Sequence, residues 1–231
     1  MTTELTIPRA RADAPPLAAR LDEPTGAARE SAVLFAHGSG IDIEHPWMRS
    51  AAASLVSRGF AVLRFRYPYM QLAVDAGKPR PPDRAALLEE AHVDALEELR
   101  RRFPRRRWIL AGKSLGARMA THIAAQGAHA HALVLYGYPL HPPRKVEATR
   151  SEHFATLVQP ALFLHGTRDE FGSVEALKQA LKRYSGQAEL SVVDGADHGF
   201  ELPAAARRTL EQVLEDLAGR VADWEARTFP S

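Results

Sequence analysis

The sequence predicts an α/β fold built on a largely parallel central sheet. Three observations carry this: short unbroken apolar runs that suit strands covered on both faces, longer stretches of helical periodicity between them, and near-regular alternation of the two. The strand runs are 32–36, 60–65, 108–111, 132–136, 161–164 and 189–193, and the helical patterns are 46–58, 83–103, 115–126, 173–184 and 203–224. In the second helix Ala85, Leu88, Val93, Leu96 and Leu99 share one face, with Glu89, Glu90, Glu97 and Glu98 mostly opposite. Segment 4–24 is read as an edge strand or hairpin, interrupted by Pro8, Pro15 and Pro16. Segments 67–82 and 137–160 lack periodicity. Both follow strands, so both are expected at the carboxyl edge of the sheet, where ligands bind in open α/β folds.

The chain has 231 residues, 45% hydrophobic and 25% charged, with 15 glycines and 16 prolines. That usage suits one compact domain over residues 1–231 and excludes a disordered, collagen-like or coiled-coil chain. No apolar run approaches a membrane span, and Arg9, Arg11, Asp13, Pro15, Pro16 and Arg20 break the stretch where a signal peptide needs an apolar centre. A cytoplasmic protein with no membrane partner is expected. The absence of cysteine excludes disulfides, thiolate nucleophiles and cysteine-bound zinc. No histidine spacing suits a metal and no phosphate-cradling glycine motif is present, so neither metal nor cofactor is expected. Formal charge is +2, and only Lys78, Lys113, Lys145, Lys178 and Lys182 of the 30 basic residues are lysine. The arginine richness is read as compositional bias rather than as a nucleic-acid surface.

The sharpest motif is Gly112-Lys113-Ser114-Leu115-Gly116, which directly follows a strand run and directly precedes a helical pattern. Glycines two before and two after the serine leave room for a tight strand-to-helix turn that projects the hydroxyl from the sheet edge. The helix N-terminus behind it offers unpaired N–H groups to a developing oxyanion. A serine hydroxyl needs a base, and the base needs an orienting acid, in the chain order serine, acid, histidine. Asp169 follows run 161–164, and His198 follows run 189–193 in a glycine-rich turn. Of the ten histidines only His198 comes after the acid loop. Asp194 and Asp197 are read as turn residues. The oxyanion donors are expected to be the backbone N–H groups of Leu115 and of Ser39, the latter in His37-Gly38-Ser39-Gly40, with His37 read as structural.

Gly38, Tyr69, Met70, Tyr138, Pro139 and Leu140 are candidate substrate-binding residues, with Tyr67, Tyr136 and His141 beside them; core packing explains the aromatic members equally well. Lys113, Arg118 and Arg168 either make the pocket electropositive or are solvated or paired with carboxylates, and the second reading is favoured. The arginine run within residues 100–107 sits where a helix ends before Pro104, so a helix-terminal role is preferred to phosphate binding.

With these residues in place, the chain resembles the α/β-hydrolase superfamily from about Ser31 to Phe200. Gly112-Lys113-Ser114-Leu115-Gly116-Ala117-Arg118-Met119-Ala120, Gly137-Tyr138-Pro139-Leu140-His141-Pro142-Pro143 and Gly166-Thr167-Arg168-Asp169 look more narrowly like the hydrolase-like family that includes testis-expressed protein 30 and subunit 3 of the NSL chromatin complex. The resemblance implies helices on both sheet faces, minimal or no cap domain, and serine-hydrolase chemistry on a small ester, thioester or related acyl bond, without naming a substrate. Ala117 stands where many relatives carry a second glycine, which leaves the elbow intact. Dienelactone-hydrolase relatives use a cysteine nucleophile, which this chain lacks. The alternative function is a hydrolase-shaped interaction or scaffold protein with little turnover.

Overall fold

The computed structural model describes residues 1–142 and 149–230; Pro143, and part of the segment 137–160 expected at the sheet edge, lie outside the described residues. Eight strands form one sheet in the order β1-β2-β4-β3-β5-β6-β7-β8. Their ranges are β1 Thr2–Ile7, β2 Leu17–Asp22, β3 Ser31–Ala36, β4 Ala61–Phe65, β5 Arg107–Lys113, β6 Ala132–Tyr136, β7 Ala161–Gly166 and β8 Ala188–Val193. The expected hairpin is β1 and β2, an antiparallel edge pair that joins the sheet antiparallel to β4, while β4-β3-β5-β6-β7-β8 run parallel. Every residue of β3, β4, β6 and β7 is buried, which is why these strands read as largely apolar runs; Arg64 in β4 is buried against Asp22.

Helices cover both faces: α1 Pro46–Ser57, α2 Pro68–Ala76, α3 Ala85–Arg102, α4 Leu115–Ala125, α5 Val174–Leu181 and α6 Leu210–Thr228. On one face Trp47, Met48 and Leu55 of α1 and Val213, Leu217 and Val221 of α6 pack on Val33, Phe35, Ile109 and Val134. On the other, Leu88, Leu96 and Leu99 of α3 and Met119 and Ile123 of α4 pack on Leu34, Leu63, Leu110 and Leu133. No helix among the described residues is long and apolar enough to cross a membrane.

Three local expectations are corrected. Segment 67–82 contains α2, which opens on Pro68 and closes on Gly77 at φ 60; nine residues are too few for a clear periodic signal. The pattern 203–224 is interrupted by Arg207 at φ 51, and α6 starts at Leu210 behind a capping box formed by Thr209 and Gln212. On α3, Val93 is exposed and Glu98 is buried. Glu98 tolerates burial because Arg101 and Arg102 both donate to it, at 2.8 and 2.5 Å. These ion pairs use two arginines of the run. Arg100, Arg106 and Arg107 lie over the rings of Trp108, Phe103 and Phe229.

Candidate active site

The parallel register levels the carboxyl ends of the central strands. Ala36 of β3 pairs with Gly112 of β5, and Lys113 of β5 with Tyr136 of β6. Ser114 follows β5 at φ 52 and ψ −110, a strained conformation for a residue with a side chain, and α4 starts at the next residue. The two motif glycines are required by close approach. A Cβ on Gly112 would lie 2.2 Å from the Gly116 carbonyl carbon, and one on Gly116 would lie 2.3 Å from the Ala36 carbonyl oxygen. Gly116→Ala therefore forces β3 and α4 apart. It is expected to cost about 3 kcal/mol or more and to lower the melting temperature by roughly 6–12 °C, measurable by thermal denaturation.

Ser114, His198 and Asp169, contributed by the turns after β5, β8 and β7, stand in one hydrogen-bonded chain. The Ser114 hydroxyl lies 2.9 Å from His198 Nε2, and His198 Nδ1 lies 2.8 Å from Asp169 Oδ2. Since a carboxylate only accepts, Nδ1–H donates to Asp169, and Nε2 is left free to accept from the serine. Asp169 Oδ1 accepts from the Phe171 N–H at 2.8 Å, and the Phe171 ring centroid lies 4.2 Å from that of His198. The turn carrying His198 is braced from behind. Asp197 Oδ1 accepts from Gly199 and Glu201 N–H groups at 2.8 and 2.9 Å, and the Trp47 indole donates to the Gly199 carbonyl at 2.8 Å.

Burial works against the charged form of each titratable group here. Burial would raise the Asp169 carboxyl, but the hydrogen bond and charge of His198, the proximity of His165 and the Phe171 N–H outweigh it and hold the group below the usual carboxylate range. His198 is lowered from its ordinary value by burial first; the Asp169 hydrogen bond opposes that shift and the Lys113 charge adds to it. Lys113 is 5% exposed and its ammonium faces the Trp47 ring at 5.8 Å. Burial brings it down to about 8 against the attraction of Asp169 and Asp197. Fully buried His165 donates from Nε2 to the Gly172 carbonyl at 2.6 Å, leaving Nδ1 bare at 3.6 Å from Asp169 Oδ2.

His37 shapes the neighbouring loop. Its Nδ1–H donates to the Gly38 carbonyl at 2.7 Å, and its Nε2 accepts from the Tyr67 N–H at 3.1 Å. With both nitrogens engaged, the ring has a structural role. The Tyr69 hydroxyl donates to the Ser39 carbonyl at 3.1 Å, fixing the loop from beneath. In a trans peptide the Ser39 N–H points opposite to the anchored Gly38 carbonyl. Among the described residues neither this N–H nor that of Leu115, the first residue of α4, has a hydrogen-bond acceptor.

Ser39, Ser114, Leu115, Arg118 and Pro139 share a cavity of about 490 Å³ with Asp83, Arg150 and Phe171. A larger cleft of about 960 Å³ between the β1–β2 edge and α1 contains none of them. Gly38, Tyr69, Met70, Tyr138 and Leu140 do not line the smaller cavity. Tyr69 and Tyr138 are buried because their hydroxyls find the Ser39 and Arg150 carbonyls, Met70 packs into the same core, and Leu140 lines a neighbouring cleft with His141. Tyr67 and Tyr136 are likewise core residues. Of the three nearby cations, Arg118 lines the cavity, Lys113 is buried near His198 and Arg168 is exposed and does not line the cavity. Phe171 and Arg150 were not foreseen; Arg150 lies in an aperiodic segment without a motif, and Phe171 only follows the acid loop.

A family model described as an alpha/beta hydrolase domain matches residues 29–226. The chain belongs to the alpha/beta hydrolase family. Solved structures similar to this alpha/beta hydrolase include a dienelactone hydrolase from Anabaena variabilis, with TM-score 0.75 and 22% identity over 98% of this chain and 97% of that one. A second is an alpha-beta serine hydrolase homologue from Coxiella burnetii, with TM-score 0.74 and 18% identity over 95% and 97% of the two chains. A third, from Xanthomonas campestris, is described as a serine hydrolase without lid; its TM-score is 0.72, with 20% identity over 100% and 96%. At such identities the likeness is one of fold. The narrower kinship with testis-expressed protein 30 remains a resemblance of the quoted motifs.

Proposed function

We propose that this alpha/beta hydrolase is a serine hydrolase that cleaves a small ester, thioester or related acyl bond through an acyl-enzyme. The observation that carries the reading is the unbroken chain Ser114 Oγ, His198 Nε2, His198 Nδ1, Asp169 Oδ2, with links of 2.9 and 2.8 Å. In this reading Ser114 Oγ attacks the acyl carbon as its proton passes to His198 Nε2. Asp169 holds the tautomer and stabilises the imidazolium. The Leu115 and Ser39 N–H groups receive the oxyanion, and His198 returns the proton to the leaving alcohol or thiol. Water then repeats the sequence on the acyl-serine, releasing the acid and restoring the free enzyme.

A fluorophosphonate probe tests the reading against the scaffold alternative. Stoichiometric labelling, mapped to Ser114 by mass spectrometry and absent in Ser114→Ala, is expected of an enzyme. A protein that stays unlabelled while a control hydrolase reacts fully is a scaffold.

The pH profile supplies a second test. Catalysis needs neutral His198, whose pKa is lowered, so the acidic limb of kcat/KM on p-nitrophenyl acetate is expected below pH 6.5. Lys113→Met removes a charge that disfavours the imidazolium and is expected to shift that limb to higher pH. An unmoved limb would mean that Lys113 does not tune His198.

A further inference from the structure

Two guanidinium groups in the cavity over Ser114 make no direct ion pair among the described residues. Arg118 and Arg150 both line it. Arg118 lies one helical turn beyond Ser114, its N–H donating to the Ser114 carbonyl at 3.0 Å, so its side chain rises beside the serine. Arg150 is pinned through its backbone: its N–H donates to the Leu140 carbonyl at 2.7 Å, and its carbonyl accepts from the Tyr138 hydroxyl. Among the described residues neither side chain meets a carboxylate, and Arg118 Nε is buried without any partner.

Both are half-buried, whereas the arginine side chains this chain buries most deeply are paired. Arg9 is paired with Glu90 and Asp94, Arg64 with Asp22, and Arg66 with Asp42. Two carboxylates stand near, and each holds another donor. Asp83, on the cavity wall, accepts from the Tyr69 N–H at 3.0 Å, and Glu89 receives His122 and Gln126 on its two oxygens. Burial and then the Arg118 charge lower the Arg150 pKa, so the two cations oppose each other. The mutual repulsion of the two guanidinium groups disfavours the empty state, and an oxyanion bound between them relieves it.

We propose that Arg118 and Arg150 form the recognition site for an anionic substrate, an ester or thioester whose chain carries a carboxylate or phosphate-type group a few bonds from the reacting carbonyl. This rests on the reading of Ser114 as nucleophile. Forked N–H donors match either oxyanion, and a cavity of about 490 Å³ suits a small molecule rather than a long acyl chain.

The test compares p-nitrophenyl hemisuccinate and p-nitrophenyl 3-phosphonopropanoate with uncharged p-nitrophenyl butyrate. The wild-type enzyme is expected to favour at least one charged ester by about tenfold or more in kcat/KM, the equivalent of one good charge-assisted contact. Arg118→Met and Arg150→Met should each bring that ratio toward one, while Arg118→Lys, which keeps charge but loses the fork, retains part of it. A wild-type ratio near one, or a preference that survives both methionine variants, overturns the proposal. Calorimetric titration of Ser114→Ala protein with succinate and with 3-phosphonopropanoate separates the two readings. Binding that a further Arg118→Met change abolishes, together with wild-type protein that hydrolyses none of the esters, keeps the anion site and sinks the hydrolase reading. Hydrolysis of the butyrate ester with no binding of either anion keeps the hydrolase and sinks the anion site.

Discussion

Alanine at position 114 is expected to lower kcat/KM on a simple ester by about 10⁴- to 10⁶-fold, which is roughly 5–8 kcal/mol of transition-state stabilisation. The loss is large because the hydroxyl lies 2.9 Å from the one nitrogen of His198 free to accept its proton, and no other nucleophile lies on the hydrogen-bonded chain. Asp169→Asn is expected to lose about 10⁴-fold by a different route. Its amide presents N–H to Nδ1, so the ring must carry its proton on Nε2, where the serine needs an acceptor. Since the residues act as a unit, Ser114→Ala combined with His198→Ala is expected to be no slower than Ser114→Ala alone. Steady-state rates on p-nitrophenyl acetate decide this. Turnover within tenfold of wild type in Ser114→Ala would remove Ser114 from the reaction.

Mild acid is expected to remove a few kcal/mol of folding stability, beginning well above the carboxylate range. His37 and His92 are fully buried, and burial holds them neutral, with pKa values of about 4 and about 3 against an ordinary 6.5. His92 meets the Tyr67 hydroxyl at 3.0 Å, and the charge of either histidine would oppose that of the other. Because the unfolded chain takes up these protons first, their contribution is whole above pH 6.5 and is lost as pH falls through about 4 for His37 and about 3 for His92. The lowered values correspond to roughly 3 kcal/mol for His37 and about 5 kcal/mol for His92, against a typical domain stability of about 5–15 kcal/mol. His153, also lowered to about 4 by burial, acts in the same direction. Asp42 and Asp169, lowered from 3.8, and Glu89 and Glu98, lowered from 4.5, contribute at more acid pH, so the histidines dominate the window from 6.5 to 5. Urea midpoints are expected to fall steeply across that window and less steeply in His92→Gln. A flat midpoint between pH 7 and 5 would contradict the buried neutral pair.

Much of the architecture was legible because it follows from local chemistry. The runs at 32–36, 132–136 and 161–164 have no polar alternation, so a strand covered on both faces is the only extended structure that suits them. The glycines at 112 and 116 bracket the serine because a side chain at either would strike backbone. Chain order then assigns Ser114, Asp169 and His198 to turns after strands, and parallel pairing brings such turns to one sheet edge. Element boundaries were less legible. The start of α6 depends on a capping box that a run of alanines and arginines before it obscured.

The sequence by itself determined the strand and helix alternation, the turn at Ser114 and which residue types stand at the carboxyl edge, since these depend on neighbours a few positions apart. Tertiary structure alone decided that Tyr69 and Tyr138 serve the core and not the cavity, because a tyrosine suits either until its hydroxyl meets a particular carbonyl. It likewise decided that His37, His92 and Lys113 lie out of water and that Arg118 and Arg150 share a cavity without a carboxylate partner among the described residues. Burial and charge pairing are set by segments distant in the chain, and no local pattern encodes them.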